Sequence, residues 1–153
     1  MKTALEFYGA PKGLREMVAS VRLQLGRLPP APLGIQPEGL WSCHGIVRYM
    51  KQRWPETFSE WRVATGYFGR IGQEHSWLYR MHTPDHPALA LDMYPVASLG
   101  GPLVVDISSI GSPWNGLYIE DVRRYCEERL HLFDVEAKVL LELMTKTRAA
   151  NEI

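Results

Sequence analysis

Three residues of this chain have the types and positions that thiol chemistry needs: Cys43 in Trp41-Ser42-Cys43-His44-Gly45, His75 in Glu74-His75-Ser76-Trp77, and Asp92 in Ala90-Leu91-Asp92-Met93. A cysteine attacks as its thiolate, and a place at a helix start favours that form because the positive end of the helix dipole faces it. An imidazole within hydrogen-bond reach takes the thiol proton. A carboxylate on the far side of the ring fixes the tautomer and stabilises the imidazolium.

Each residue also has a plainer reading. A free cysteine on an apolar stripe is an ordinary core residue, and a lone histidine on a strand is commonly structural. The case rests on Asp92. In the apolar run Ala88-Leu89-Ala90-Leu91-Asp92-Met93 a buried aspartate is costly unless paired. His75, beside Trp77 on an inward-facing strand position, needs a partner in the same way. One His75–Asp92 pair meets both needs. Asp106, after Leu103-Val104-Val105, is the substitute if the strand register differs. Gln36, Trp41 and Trp77 are the candidates for oxyanion and substrate binding, Gln36 through its side-chain amide, although a solvated loop glutamine explains it as well. His44 falls off the stripe that carries Cys43, and Cys126 reads as a structural core residue.

A rival cluster is His82-Thr83-Pro84-Asp85-His86, which with His75 offers three imidazoles and a carboxylate to a metal. A solvated hairpin turn explains the same residues, so neither metal nor other cofactor is assigned. Trp114-Asn115-Gly116 either lines a cleft or covers the core.

The elements that must hold these residues follow from periodicity. Leu14, Met17, Val18, Val21 and Leu25 predict a helix over 11–28, ended by Gly26 and the Pro29-Pro30-Ala31-Pro32 run. Ser42 is the expected N-cap of a second helix that runs to Trp54 and is stopped by Pro55, with Cys43, Ile46, Val47, Met50 and Trp54 on one stripe. Segments 61–69, 74–81, 88–94 and 103–108 read as strands separated by turns. A loop over 110–118 and two helices, 119–131 and 134–148, complete the chain, the last with Asp134 as its cap. The expectation is one α+β domain over 1–153, an antiparallel sheet of about four strands with helices packed against it.

Composition narrows the function. The chain has 153 residues, with 17 Lys+Arg against 17 Asp+Glu, so it lacks the net basic charge of a general nucleic-acid binder. No apolar run approaches the roughly 20 residues that span a bilayer. Residues 1–10 contain Glu6 and no long apolar stretch, so no secretory signal is expected and the expected location is cytoplasmic, with delivery elsewhere by a partner left open. Two cysteines without a C-x-x-C pair argue against a disulfide scaffold or a thiolate zinc site.

Cysteine at a helix start, then histidine followed closely by tryptophan on a strand, then aspartate on the next strand, resembles the transglutaminase-like branch of the papain-like cysteine hydrolases. Trp41-Ser42-Cys43, His75-Ser76-Trp77 and Leu91-Asp92 carry the resemblance. It implies a papain-like/transglutaminase-like core, Cys43 as nucleophile, His75 as base then acid, and Asp92 as the orienting carboxylate. It implies acyl transfer through a thioester on a protein or peptide substrate: peptide hydrolysis, glutamine deamidation or transamidation. The chain is short for a transglutaminase proper, which favours a small peptidase or deamidase, acting for instance as an effector, a toxin or a maturation enzyme. The alternative is a non-catalytic interaction module on the same scaffold. Oligomeric state is not readable.

Overall fold

The first helical stripe is realised as α1, Lys12–Leu25, in a computed structural model that describes residues 12–32, 40–94 and 102–151. Leu14, Val18, Val21 and Leu25 are buried, so one face of α1 enters the core. The second helix, α2, spans Cys43–Arg53. Its N-cap is Ser42, whose hydroxyl accepts from the Gly45 N–H at 3.2 Å and satisfies one of the amides that a helix start leaves open. Ile46, Val47 and Met50 form its buried face.

Four strands follow as an antiparallel meander: β1 Trp61–Phe68, β2 Gln73–Arg80, β3 Leu89–Asp92 and β4 Leu103–Asp106. A fifth, β5 Tyr118–Glu120, adds to the free side of β1 and gives the order β4-β3-β2-β1-β5. The sheet therefore has one strand more than expected, and its last strand occupies residues divided above between a loop and a helix. Three residues are too few to display a period of two. The pairing is made possible by Gly66: a Cβ there would lie 1.9 Å from the Ile119 carbonyl oxygen, so only glycine lets β5 approach.

The C-terminal part also differs from expectation. A 3₁₀ turn, Val122–Arg124, leads into one continuous helix, α3 Glu127–Asn151, in place of two. No glycine or proline lies between 127 and 151, so nothing breaks the helix near 132. Asp134 is no cap; it sits on the exposed side of α3 with its carboxylate 3.7 Å from Arg48 Nε. Cys126 precedes the helix and is exposed, which corrects its placing on a core stripe.

Side chains alternate across the sheet. One face, with Leu78, Leu89, Leu91 and Val104, packs against α1, α2 and α3. The other, with Phe68, Trp77, Ala90, Val105 and Tyr118, is covered by Trp114 and Leu117 from the segment after β4, which places the Trp114 loop over the core. The arrangement is α+β. Among the described residues no helix is long and apolar enough to cross a membrane.

Candidate active site

The strand that carries His75 is paired unequally on its two sides. With β1 the pairing continues through His75↔Gly66, but with β3 it stops at Leu78↔Leu91. The strands part at that point, and Asp92, the last residue of β3, places its carboxylate on the imidazole. His75 Nε2 lies 2.8 Å from Asp92 Oδ2, with the histidine 2% exposed and the aspartate fully buried. The expected pairing of these two residues is what the structure holds. Asp92 has two further donors: the Tyr118 hydroxyl at 2.7 Å on Oδ2 and the Tyr94 N–H at 3.1 Å on Oδ1. Tyr118 comes from β5, so the strand missed in the sequence supplies a member of the site.

Cys43 is half-buried and is the first residue of α2. Its side chain adjoins the His75 imidazole closely enough to help raise the ring's pKa, and with Nε2 held by Asp92, Nδ1 is the nitrogen left for the sulfur. Burial by itself lowers the pKa of His75. The charge and hydrogen bond of Asp92, followed by Cys43, outweigh it and raise the pKa to about 10. Burial, reinforced by the neighbouring Asp92 charge, drives the Tyr118 phenol well above its ordinary value, which keeps it a donor. The three residues thus form a chain from thiol to imidazole to carboxylate, closed by a phenol.

The start of α2 is fixed from a distance. Glu136 of α3, fully buried, accepts from the Ser42 N–H at 2.8 Å and from the Ser42 hydroxyl. Gly45 makes room for it, since a Cβ at 45 would lie 2.3 Å from the Glu136 carboxyl carbon. The start of β2 is fixed by Tyr125, whose hydroxyl accepts from His75 N–H at 3.2 Å and donates to the Gly66 carbonyl at 2.6 Å.

His44 is not the bystander its position off the stripe suggested. It is 7% exposed, with Nδ1 2.6 Å from Ser76 Oγ, and its ring stacks on Phe133 with centroids 4.0 Å apart. Arg48 completes this cluster by donating to Ser76 Oγ, Thr65 Oγ1 and the His44 carbonyl. Burial first, then the nearby Arg48, lowers the His44 pKa to about 3, so this ring is neutral. Because Ser76 and His75 are adjacent on β2, they serve opposite faces of the sheet.

The remaining candidates fall outside this chain of contacts. Trp41 is half-buried, its indole N–H donating to the Pro29 carbonyl at 3.1 Å. Trp77, 1% exposed, lies behind the imidazole against Tyr118 and presents no surface to a substrate. Gln36 lies outside the described residues. Asp106 caps the turn after β4 by accepting from the Ser108 and Ser109 N–H groups, so Asp92 is the carboxylate at the imidazole. Asp85 and His82 are exposed in their turn, away from buried His75, and among the described residues no group of three potential ligands is placed to hold a metal ion. Comparison with family models, curated proteins and solved structures found no match to this chain.

Proposed function

We propose that this protein is a small cysteine-dependent acyl hydrolase or transferase on a papain-like or transglutaminase-like core. The observation that carries the reading is a buried imidazole bonded to Asp92 at 2.8 Å, with Cys43 beside it at the start of α2. A thiol, an imidazole and a carboxylate joined in that order match the requirements of nucleophilic acyl transfer. Because His75 keeps its proton to about pH 10, the sulfur attacks an acyl carbonyl as the partner of an imidazolium. The tetrahedral intermediate collapses as His75 gives its proton to the leaving group, which departs as an amine or ammonia. A thioester remains on Cys43. Water or an amine, deprotonated by His75, then attacks the thioester and releases acid or new amide. Asp92 and Tyr118 touch no substrate in this scheme; they hold the ring and balance its charge.

The test is the alkylation rate of each cysteine with iodoacetamide across pH, read by peptide mass spectrometry. Cys43 is expected to react with a pH profile of its own, and His75→Ala to slow it by on the order of a hundredfold, the usual scale of general-base assistance. Exposed Cys126 serves as the internal reference and is expected to be indifferent to that substitution. Identical profiles for the two thiols, unchanged by His75→Ala, would refute the reading.

A further inference from the structure

A cavity of about 640 Å³ lies between the end of α1, the segment that leads into α2 and Tyr94 after β3, within the range of small-molecule sites. Its walls include Leu25, Leu28, Leu40, Trp41, Tyr94 and Arg22. Two of these tie it to the chemistry. Trp41 precedes the nucleophile by two residues, and Tyr94 follows Asp92 by two while donating its N–H to that carboxylate. Burial raises the Tyr94 phenol above its ordinary value; Arg22 opposes the rise, and the neighbouring Cys43 and Glu136 add to it. The walls are braced: Trp41 is bonded to the Pro29 carbonyl, and the Arg22 guanidinium lies 4.1 Å from the Tyr94 ring centroid with one N–H donated to the Met93 carbonyl at 3.3 Å.

We infer that this cavity receives the acyl side of the substrate and selects a leucine- or phenylalanine-sized apolar side chain with a carboxylate beside it. The inference rests on Cys43 being the nucleophile. The apolar requirement follows from the leucines and aromatic rings in the wall. The carboxylate follows from Arg22. A guanidinium has five N–H donors, the hydrogen bond to Met93 uses one of them, and the described lining contains no acidic side chain. An apolar group filling the cavity displaces the water around the remaining donors, a costly step unless the ligand brings an acceptor. A carboxylate makes the strongest such bond and fits the fork of the guanidinium.

Calorimetric titration of the Cys43→Ala protein with three amides tests this without requiring turnover. N-succinyl-phenylalaninamide is expected to bind roughly tenfold more tightly than N-acetyl-phenylalaninamide, the scale of one charge-assisted hydrogen bond, and N-acetylglycinamide not to bind measurably. Arg22→Gln is expected to remove the advantage of the succinyl compound alone. Leu40→Trp, at a position 69% exposed and so tolerant of a larger side chain, is expected to weaken both phenylalanine compounds, and Leu28→Trp, also in the wall, to do the same. Equal binding of all three amides, or binding insensitive to every one of these substitutions, overturns the inference. Iodoacetamide labelling of the wild-type protein reports on the thiol independently, so a reactive Cys43 with no amide binding fails the cavity alone. Selective binding beside an unreactive Cys43 fails the catalytic reading, and with it the acyl-side assignment.

Discussion

Two histidines lie within reach of one another's charge in this molecule, and they titrate in opposite directions. Both are buried, His75 at 2% and His44 at 7% exposure, and burial lowers both. His75 faces a carboxylate and a thiol, and is raised to about 10; His44 faces a serine hydroxyl and a guanidinium, and is lowered to about 3. Burial alone therefore does not set the state of a core imidazole; the partner does. One ring keeps its proton well past neutral pH, and the other packs neutral against Ser76 and Phe133.

The sharpest way to break this contrast is to remove the partners. Asp92→Asn leaves His75 in the core without its counter-charge, and a loss of about 3–5 kcal/mol in urea unfolding is expected. His44→Gln keeps a group able to reach Ser76 and is expected to cost only about 1–2 kcal/mol while leaving the alkylation rate of Cys43 within a few-fold. Equal costs for the two substitutions would show that the rings are not different in kind.

The pH dependence of stability sharpens the same contrast. Above pH 6.5 the unfolded chain releases the His75 proton while the folded chain keeps it to about 10, so stability declines as pH rises through that window. For His44 the unfolded chain takes up a proton below 6.5 that the folded chain refuses until about 3, so stability declines as pH falls through that window. Each limb has a maximum slope of about 1.4 kcal/mol per pH unit. Urea midpoints measured across pH are expected to show His75→Gln flattening the alkaline limb and His44→Gln the acid limb. An acid limb unchanged in His44→Gln would contradict a neutral His44.

Smaller effects test the surroundings. Tyr118→Phe removes one donor from Asp92 and is expected to cost about 1 kcal/mol in urea unfolding, together with slower alkylation of Cys43. Cys126→Ser, at an exposed position, is expected to change stability by less than about 0.5 kcal/mol and Cys43 labelling not at all.

What could be read from the sequence was local or forced by cost. The strands of the meander follow from alternation, and Asp92 is conspicuous because an acid in an apolar run needs a partner, which His75 can be. What could not be read depends on distant residues. Tyr118 looks like the end of a loop until β5 pairs with β1 across Gly66. Glu136 looks like an ordinary charge within a helix until α3 lies against α2 and Gly45 admits it. His44 falls off the apolar stripe, but the helix is covered on two sides, by the sheet and by α3, so its polar side is buried too. Asp134 resembles a cap because the pattern of a cap is short, and only the unbroken hydrogen-bonded run from 127 to 151 shows otherwise.

Glu136 has a consequence for how the site comes into being. It stands 94 residues beyond Ser42, so the start of α2 is closed only once α3 has docked against it. Cys43, His75 and Asp92 all lie earlier in the chain than the carboxylate that closes the start of α2. The seating of Cys43 at the start of α2 is thereby tied to the docking of α3. A chain ending before 136 is expected to alkylate at Cys43 no faster than at Cys126, even with all three triad residues present.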